Sequence, residues 1–178
     1  WWRRSSPGES GDAPRRVDRN RLVGSMSELL ARTLGEAVML EVSLAEDAWP
    51  LRADPVQLES AILNLAVNAR DAMNGSGRLD IATSRQSCPG TGDIQLLMTV
   101  TDTGHGMSAE VIERVFDPFF TTKAAGRGTG LGMSQVFAFV RSSGGEVSIA
   151  SQPGQGTGVT IALPMAIADV AGLVPEHG

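Results

Sequence analysis

The most constraining stretch of the sequence is residues 54–74, which combine the signals for a helix start, a buried face and a helix stop. Asp54 is a good N-cap and Pro55 suits the first helical position. Asn74 and Gly75 can end the helix. Apolar residues recur at steps of three and four, as a buried face requires: Leu58, Ile62, Leu65, Ala69 and Ala72. We therefore predict one long helix packed against a core.

Three polar residues, Asn64, Asn68 and Asp71, follow the same spacing along the edge of this predicted buried face. Asn is a poor helix former and costs about 0.5 kcal/mol relative to Ala at each helical position. One explanation is that these side chains bond to neighbouring backbone. The other is that their amide and carboxylate oxygens form the hard-oxygen site that Mg²⁺ shares with phosphate groups. We favour the second explanation, which requires a phosphate-binding loop elsewhere in the chain.

A glycine-rich segment at residues 126–132 can supply that loop. Glycines at alternate positions fit neither a packed strand nor a helix interior. The segment matches neither the dinucleotide-binding pattern nor the P-loop, but it leads into an apolar helical face that ends at Gly144. Backbone amides at this helix start, with Lys123 and Arg127 nearby, predict an anion site. A flexible linker is the alternative, and the aromatic residues within 116–120 argue against it.

A second candidate binding element follows the alternating apolar residues of 94–100, which predict a strand. The strand runs into Asp102, Gly104 and Gly106. A carboxylate at a strand end, followed by two glycines, lets the backbone come close to a flat ligand. The same pattern is also ordinary turn chemistry. We interpret His105, between the glycines, as a solvent-facing turn residue rather than a catalytic one.

Composition limits the classes of function. With 178 residues, 42% hydrophobic and 20% charged, the chain resembles an ordinary globular domain with a proper core. The net charge of -5 argues against broad nucleic-acid binding. No apolar run is long enough to span a bilayer and no signal peptide is visible, so we expect no direct membrane contact and a cytoplasmic location. Cys88 is the only cysteine, which excludes an internal disulfide. The chain starts at Trp1 rather than Met, which indicates a fragment.

The order of elements predicts one domain over residues 17–165, between a disordered lead at 1–16 and a flexible tail at 166–178. The predicted helices cover residues 22–34, 54–74 and 133–140. The predicted strands cover residues 38–44, 51–53, 79–84, 94–100, 146–151 and 157–163. Helices and strands in mixed order, with several hairpins, favour a mixed, mostly antiparallel sheet covered on one face by helices.

Taken together and in this order, the motifs resemble those of the catalytic ATP-binding domain of sensor histidine kinases. This domain belongs to the GHKL superfamily, shared with gyrase, heat-shock chaperone and mismatch-repair ATPases. The N box, first glycine box, F box, second glycine box and last glycine box resemble, in that order, residues 64–72, 102–107, 116–120, 128–132 and 156–158. The resemblance covers roughly residues 17–164. It implies an α/β two-layer sandwich, the Bergerat fold, with a glycine-rich ATP lid.

The resemblance also implies ATP and Mg²⁺ as ligands and assigns roles to single residues. Asp102 is expected to accept the adenine amino group, and Thr157 to assist through a water. Asn68 is expected to hold Mg²⁺, with Asn64 close to the phosphates as a second candidate ligand. Lys123 and the second glycine box are expected to close over the triphosphate as a lid. The implied nucleotide contacts are Asn64, Asn68, Asp71, Asp102, Gly104, Gly106, Met107, Lys123, Gly128, Thr129, Gly130, Leu131, Gly132 and Thr157. The candidate catalytic residues among them are Asn64, Asn68 and Lys123.

The identity of residue 64 separates subclasses of this superfamily. The ATPase relatives carry Glu there, as the base that activates water, whereas Asn64 is a neutral amide that cannot take a proton at pH 7. Transfer to another nucleophile is therefore favoured over hydrolysis. In histidine kinases that nucleophile is a histidine on a separate helical hairpin, and neither His105 nor His177 sits in such a context.

The predicted function is therefore transfer of the γ-phosphate of Mg-ATP to a histidine on a dimerisation and phosphoacceptor domain absent from this chain. The expected partners are that upstream domain and the receiver domain of a response regulator, in a two-component system. One alternative is an ATP-binding regulatory module without phosphotransfer. The other is a kinase of the same superfamily that modifies serine on a partner protein.

Overall fold

The computed structural model describes residues 16–17, 19–45, 49–50, 53–88, 93–124 and 128–165. Apart from Arg16, the predicted lead lies outside the described residues, as does the whole predicted tail. Residues 51 and 52 of one predicted strand also lie outside them, and Ala53 forms a bend rather than a strand.

Four helices form in the described part of the chain: α1 (Arg19–Leu34), α2 (Pro55–Ala72), α3 (Ala109–Arg114) and α4 (Gly132–Ser142). Seven strands accompany them there: β1 (Arg16–Val17), β2 (Val38–Ser43), β3 (Trp49–Pro50), β4 (Gly77–Ser87), β5 (Ile94–Asp102), β6 (Glu146–Ser151) and β7 (Thr157–Pro164). The sequence pattern missed α3, because a helix of six residues with no buried side chain leaves no apolar periodicity.

The main sheet has the strand order β2-β4-β5-β7-β6 and is open. β2 pairs with β4 in parallel, and the other three pairs are antiparallel. α2 lies between β2 and β4 in sequence and supplies the crossover that a parallel pair needs. β1 and β3 form a separate antiparallel pair. The predicted mixed, mostly antiparallel sheet is therefore confirmed.

One face of the sheet carries the core. Alternate residues of β4, β5 and β7 are buried there against α1, α2 and α4, as period-two alternation predicts. The fully enclosed side chains include Leu30, Leu58, Ile62, Leu79, Leu96, Val136 and Ile161. The two-layer sandwich predicted from the sequence is confirmed.

Four apolar residues of the predicted helical stripes are not fully buried. Leu29 of α1 is 44% exposed and Phe137 of α4 is 39% exposed, whereas Ala72, in the last turn of α2, and Met133 of α4 are half-buried. A small apolar pocket between α1, α2 and the sheet is lined by Leu22, Met26, Leu30, Val42 and Ile62 among others, and it includes no predicted site residue. None of the helices within the described ranges is long and apolar enough to cross a membrane.

Candidate active site

The helix α2 fixes the first group of site residues. Asp54 caps it as predicted, because its Oδ1 accepts a hydrogen bond from Val56 N at 2.9 Å. The helix ends through Asn74 and Gly75, whose φ angles of 53° and 79° are left-handed. Between these ends, the polar row predicted along the edge of the buried face is half-buried, and its members are Asn64, Asn68 and Asp71.

Lys123 contacts this row directly. Lys123 Nζ donates to Asp71 Oδ2 at 2.7 Å and to Asn68 Oδ1 at 3.4 Å. The other carboxylate oxygen of Asp71 accepts from Arg70 Nε and Nη2 at 3.1 and 2.8 Å. Arg70 Nη1 also donates to Thr33 O at 2.9 Å, which ties the group to the last turn of α1. A cation therefore already lies beside the amide oxygen that the sequence analysis assigns to a metal.

These contacts decide the charge of Asp71. Partial burial alone would raise the pKa of its carboxyl group, but the hydrogen bonds from Lys123 and Arg70 outweigh burial and hold this pKa below its ordinary value. Asp71 is therefore ionised at neutral pH. The stability that it contributes is present above its unfolded-state pKa and is lost as the pH falls through the lowered folded-state pKa.

The start of α4 lies over the same row. A Cβ added to Gly132 would stand 3.6 Å from Asn68 Nδ2 and 3.8 Å from Asn64 Oδ1. Asn64 Nδ2 also donates to Gln135 Oε1 on α4 at 3.4 Å. The N-terminus of this 11-residue helix, where the first backbone amides have no acceptor within the helix, therefore borders the asparagine row.

The F box holds the described parts of the second glycine segment. Phe119 N donates to Gly130 O at 2.9 Å, and any side chain at Gly130 would overlap the backbone of Phe119. A Cβ at Gly128 would stand 2.8 Å from Thr121 Oγ1 and 3.0 Å from Lys123 Cδ. The structure thus packs residues 119–123 against residues 128–130. Thr129 is exposed and its hydroxyl accepts from Leu131 N at 3.4 Å.

A polar row across the sheet forms the second group of site residues. Ser151 pairs with Thr157, Thr157 pairs with Asp102, and Asp102 pairs with Leu79. Directly opposed residues project from the same face of a sheet. Because Leu79 is buried in the core, Ser151, Thr157 and Asp102 lie on the helix-covered face, each at the end of its strand. Asp102 and Thr157, each 8% exposed, are the buried polar side chains among the described residues.

Asp102 is a buried carboxylate with two backbone donors. Its Oδ1 accepts from Gly104 N at 2.7 Å, and the backbone of Thr157 also donates to it. Burial nevertheless dominates and raises the pKa of Asp102, while these two hydrogen bonds and the nearby His105 oppose the shift. An ionised carboxylate has about four acceptor positions, so capacity remains for a ligand donor.

Glycines let three chain segments meet around Asp102. A side chain at Gly104 would stand 2.7 Å from the carbonyl group of Ala72, and His105 N donates to Ala72 O at 3.0 Å. A side chain at Gly156 would overlap the carbonyl oxygen of Asp102. The first glycine box therefore packs against the last turn of α2, one residue from Asp71. The two groups of site residues meet at this turn.

Gly106 offers a test of this close packing. Its φ is +68° and an added Cβ would overlap the carbonyl oxygen of Gln152, whereas Gly154 has a similar φ of +77° and nothing within 4 Å. Both Gly→Ala changes carry the backbone cost of about 1–2 kcal/mol. We expect Gly106→Ala to lower the free energy of unfolding by about 1–3 kcal/mol more than Gly154→Ala does, because of overpacking. Chemical denaturation measures both, and equal losses would show that the turn at 152–156 moves aside freely.

The structure places three further residues in the candidate site that the sequence motifs do not predict. Arg70 binds Asp71, Gln135 binds Asn64, and Ser151 Oγ accepts from Met107 N at 2.8 Å. Their contacts join distant parts of the chain, apart from that of Arg70, which lies inside the N box. Within the described ranges, no cluster of three or more His, Cys, Asp or Glu side chains could hold a metal ion.

Comparison with known proteins agrees with this geometry. The family described as histidine kinase-, DNA gyrase B-, and HSP90-like ATPase matches residues 53–167. The chain is 37% identical to the sensor kinase CckA of Brucella abortus (strain 2308), covering 86% of this chain and 17% of that protein. It is 35% identical to the sensor histidine kinase ZraS of Escherichia coli (strain K12), covering 85% and 31%. The chain thus spans less than a third of the length of these curated relatives.

Solved structures give the same result. The mycobacterial sensor histidine kinase MprB is 28% identical with a TM-score of 0.69, covering 85% of this chain and 97% of that one. Full-length ShkA, solved in complex with AMPPNP, is 25% identical with a TM-score of 0.70, covering 85% of this chain and 31% of that one. The family match extends over more than half of the sequence. The chain therefore belongs to the histidine kinase-, DNA gyrase B- and HSP90-like ATPase family.

Proposed function

We propose that this chain is the catalytic domain of a two-component sensor histidine kinase, which transfers the γ-phosphate of Mg-ATP to a histidine on another domain. The observation that carries the proposal is the meeting of Lys123 with Asn68 and Asp71 beneath the start of α4. A lysine ammonium group, a row of oxygen ligands and a helix N-terminus are the parts that phosphoryl transfer needs, because positioning and electrostatics do most of its catalytic work. The names of the relatives support the same activity.

The phosphate end of the proposed site consists of Lys123 and the segment from Gly128 to Gly132. Backbone amides at the start of α4 favour negative charge, and the Lys123 ammonium group adds a full positive charge. In the present geometry this ammonium group is paired with Asp71. A triphosphate would compete with Asp71 for Lys123, so the lysine can pass from one anion to the other as the lid closes.

The residues present also fit Mg²⁺. Asn68 Oδ1 and the Asp71 carboxylate are hard oxygen donors, and the contact of Lys123 Nζ with both shows that this position favours a cation. We assign Asn68 as the metal ligand, with Asn64 as a second candidate. When bound, the metal would neutralise charge on the phosphate oxygens.

The nucleobase end of the proposed site is the row that contains Asp102 and Thr157, with Gly104, Gly106 and Met107 beside it. Asp102 lies at the buried end of β5 and retains acceptor capacity, which suits the amino group of adenine. Because the glycines bring the backbone close, a flat base can fit against this row.

The choice of acceptor follows from Asn64. Its side chain is an amide whose Nδ2 bonds to Gln135, so this position supplies no base for water. We propose that the acceptor is a histidine on the dimerisation and phosphoacceptor domain of the parent sensor, and that a receiver domain then takes the phosphate. We assign the catalytic domain itself to residues 17–165.

Labelled ATP tests the proposal. Incubated with Mg²⁺ and ATP labelled at the γ-phosphate, this chain alone is expected to hydrolyse ATP very slowly and to gain no label. When the helical hairpin of the parent sensor is added, one histidine of that hairpin is expected to gain acid-labile label. Acid-stable label would instead indicate a serine kinase. ATP binding without any transfer would indicate a regulatory module, and fast hydrolysis by the chain alone would contradict the role given to Asn64.

A further inference from the structure

The hydroxyl group of Ser151 is the centre of a small hydrogen-bond network at the nucleobase end of the proposed site. Its oxygen lies 2.8 Å from Met107 N, 2.8 Å from Gly156 O and 2.9 Å from Thr157 Oγ1. Ser151 is the last residue of β6 and stands directly opposite Thr157 in β7. These contacts connect the first glycine box, the last glycine box and the buried threonine.

Only one arrangement of protons satisfies all three contacts. Met107 N–H must donate, and the carbonyl oxygen of Gly156 must accept. A serine hydroxyl has a single proton, so Ser151 gives it to Gly156 O. The hydroxyl of Thr157 must then donate to Ser151 Oγ. The proton of Thr157 is thereby directed away from Asp102, and its oxygen can only accept from anything bound beside it.

This arrangement places two acceptors side by side. Thr157 and Asp102 are cross-strand partners on the same face, and both are buried. The Asp102 carboxyl group accepts from the backbone of Gly104 and Thr157, and it receives no proton from the Thr157 hydroxyl, which is directed to Ser151. Both side chains keep acceptor capacity at this buried position, which therefore favours a ligand that brings donor hydrogens.

We propose that Ser151 is a specificity-determining residue, which orients the Thr157 hydroxyl so that the site prefers a purine with an amino group at position 6 over a 6-oxo purine. The inference rests on the nucleotide site of the proposed function. An amino group presents two donors to the pair of acceptors. A 6-oxo group would place a third acceptor against them, and such an unpaired arrangement is what gives hydrogen-bonding sites their selectivity.

The test compares binding of Mg-ATP and Mg-inosine triphosphate, whose bases differ in the group at position 6 and in the hydrogen that N1 carries only in the 6-oxo base. The wild-type chain is expected to prefer ATP, and Ser151→Ala is expected to reduce this preference about threefold to tenfold, the effect of one hydrogen bond. Ser151→Thr keeps the hydroxyl and is expected to restore the preference. Ser148→Ala, an exposed change on the same strand, is the matched control and is expected to change nothing.

Two further measurements separate this role from simple structural support. In the nucleotide-free chain, Ser151→Ala is expected to speed hydrogen exchange at Met107 N–H, because this amide loses its acceptor. Thr157→Val removes the oriented hydroxyl, and adding Ser151→Ala to it is expected to reduce the preference no further.

Three results would overturn the inference. One is an equal loss of affinity for both nucleotides in Ser151→Ala. Another is a full effect of Ser151→Ala in the Thr157→Val background. The third is a wild-type chain that binds neither nucleotide, which would also remove the proposed function. The first two results, found with a wild-type chain that prefers ATP, would leave the proposed function intact and remove only the role of Ser151.

Discussion

Replacing Asp102 with Asn is expected to weaken ATP binding by about tenfold to a hundredfold, the effect of leaving a buried polar group badly paired. The carboxylate of Asp102 presents only acceptors, whereas an amide presents donor hydrogens to the amino group of adenine. The change keeps the size of the side chain, and its Oδ1 can still accept from Gly104 N. The loss therefore reports the reversed polarity rather than a new cavity.

The same change is expected to leave the nucleotide-free chain at least as stable as the wild type. Burial raises the pKa of Asp102 above its ordinary value of 3.8. A carboxyl group whose pKa is raised by folding makes its full contribution to stability below the unfolded-state pKa. That contribution is lost as the pH rises through the folded-state pKa. Above the folded-state pKa the ionised group is therefore a cost, which a neutral amide removes.

Calorimetric titration with Mg-ATP and thermal unfolding without nucleotide measure the two effects. Asp80→Asn is the matched control, because Asp80 lies on β4 in an exposed ion pair with Arg78. The control is expected to leave ATP affinity unchanged. An Asp102→Asn chain that binds ATP as tightly as the wild type would remove Asp102 from the site. A chain that loses both affinity and stability would show that Asp102 is structural.

Local signals in the sequence were sufficient for most of the fold. The helix α2 starts after its predicted cap and ends before its predicted stop, because both depend on residues within one turn. β6 has its predicted bounds, 146–151, since alternation and flanking turns define it. The parallel pairing of β2 with β4 could not be predicted in this way. It joins residues nearly forty positions apart, and the helix between them, rather than any local motif, makes it feasible.

The contacts within the candidate site could not be predicted from local motifs either, because they join residues far apart in the sequence. The motifs located Asp71 and Lys123 separately, but their 2.7 Å contact spans 52 positions and depends on how the segment after the F box folds back over α2. The sequence therefore predicted Asp71 as a nucleotide contact and did not predict its ion pair with Lys123. Ser151 carried no signal, because a serine at a strand end is ordinary turn chemistry until its three partners are known.

Asn68→Ala is expected to abolish phosphate transfer to the hairpin, with a rate reduced by at least about a hundredfold, the scale found when one preorganised electrostatic contact is lost. Asn68 Oδ1 is the amide oxygen that Lys123 Nζ contacts at 3.4 Å, so it faces a position where a cation is favoured. The variant is also expected to bind ATP with little dependence on Mg²⁺, whereas Lys123 continues to pair with Asp71.

The fold is expected to tolerate this change. Asn68 is half-buried at the edge of α2, and Ala is the better helix former by about 0.5 kcal/mol. Ser60→Ala, an exposed change on the same helix, is the matched control for the gain in helix propensity. Asn68→Asp retains an oxygen ligand and is expected to keep Mg²⁺-dependent ATP binding. Calorimetry at several Mg²⁺ concentrations and label transfer to the hairpin distinguish these variants. If folded Asn68→Ala protein labels the hairpin at the wild-type rate, the metal site must lie elsewhere, and the asparagine row would then serve only to join α2 to the lid and to α4.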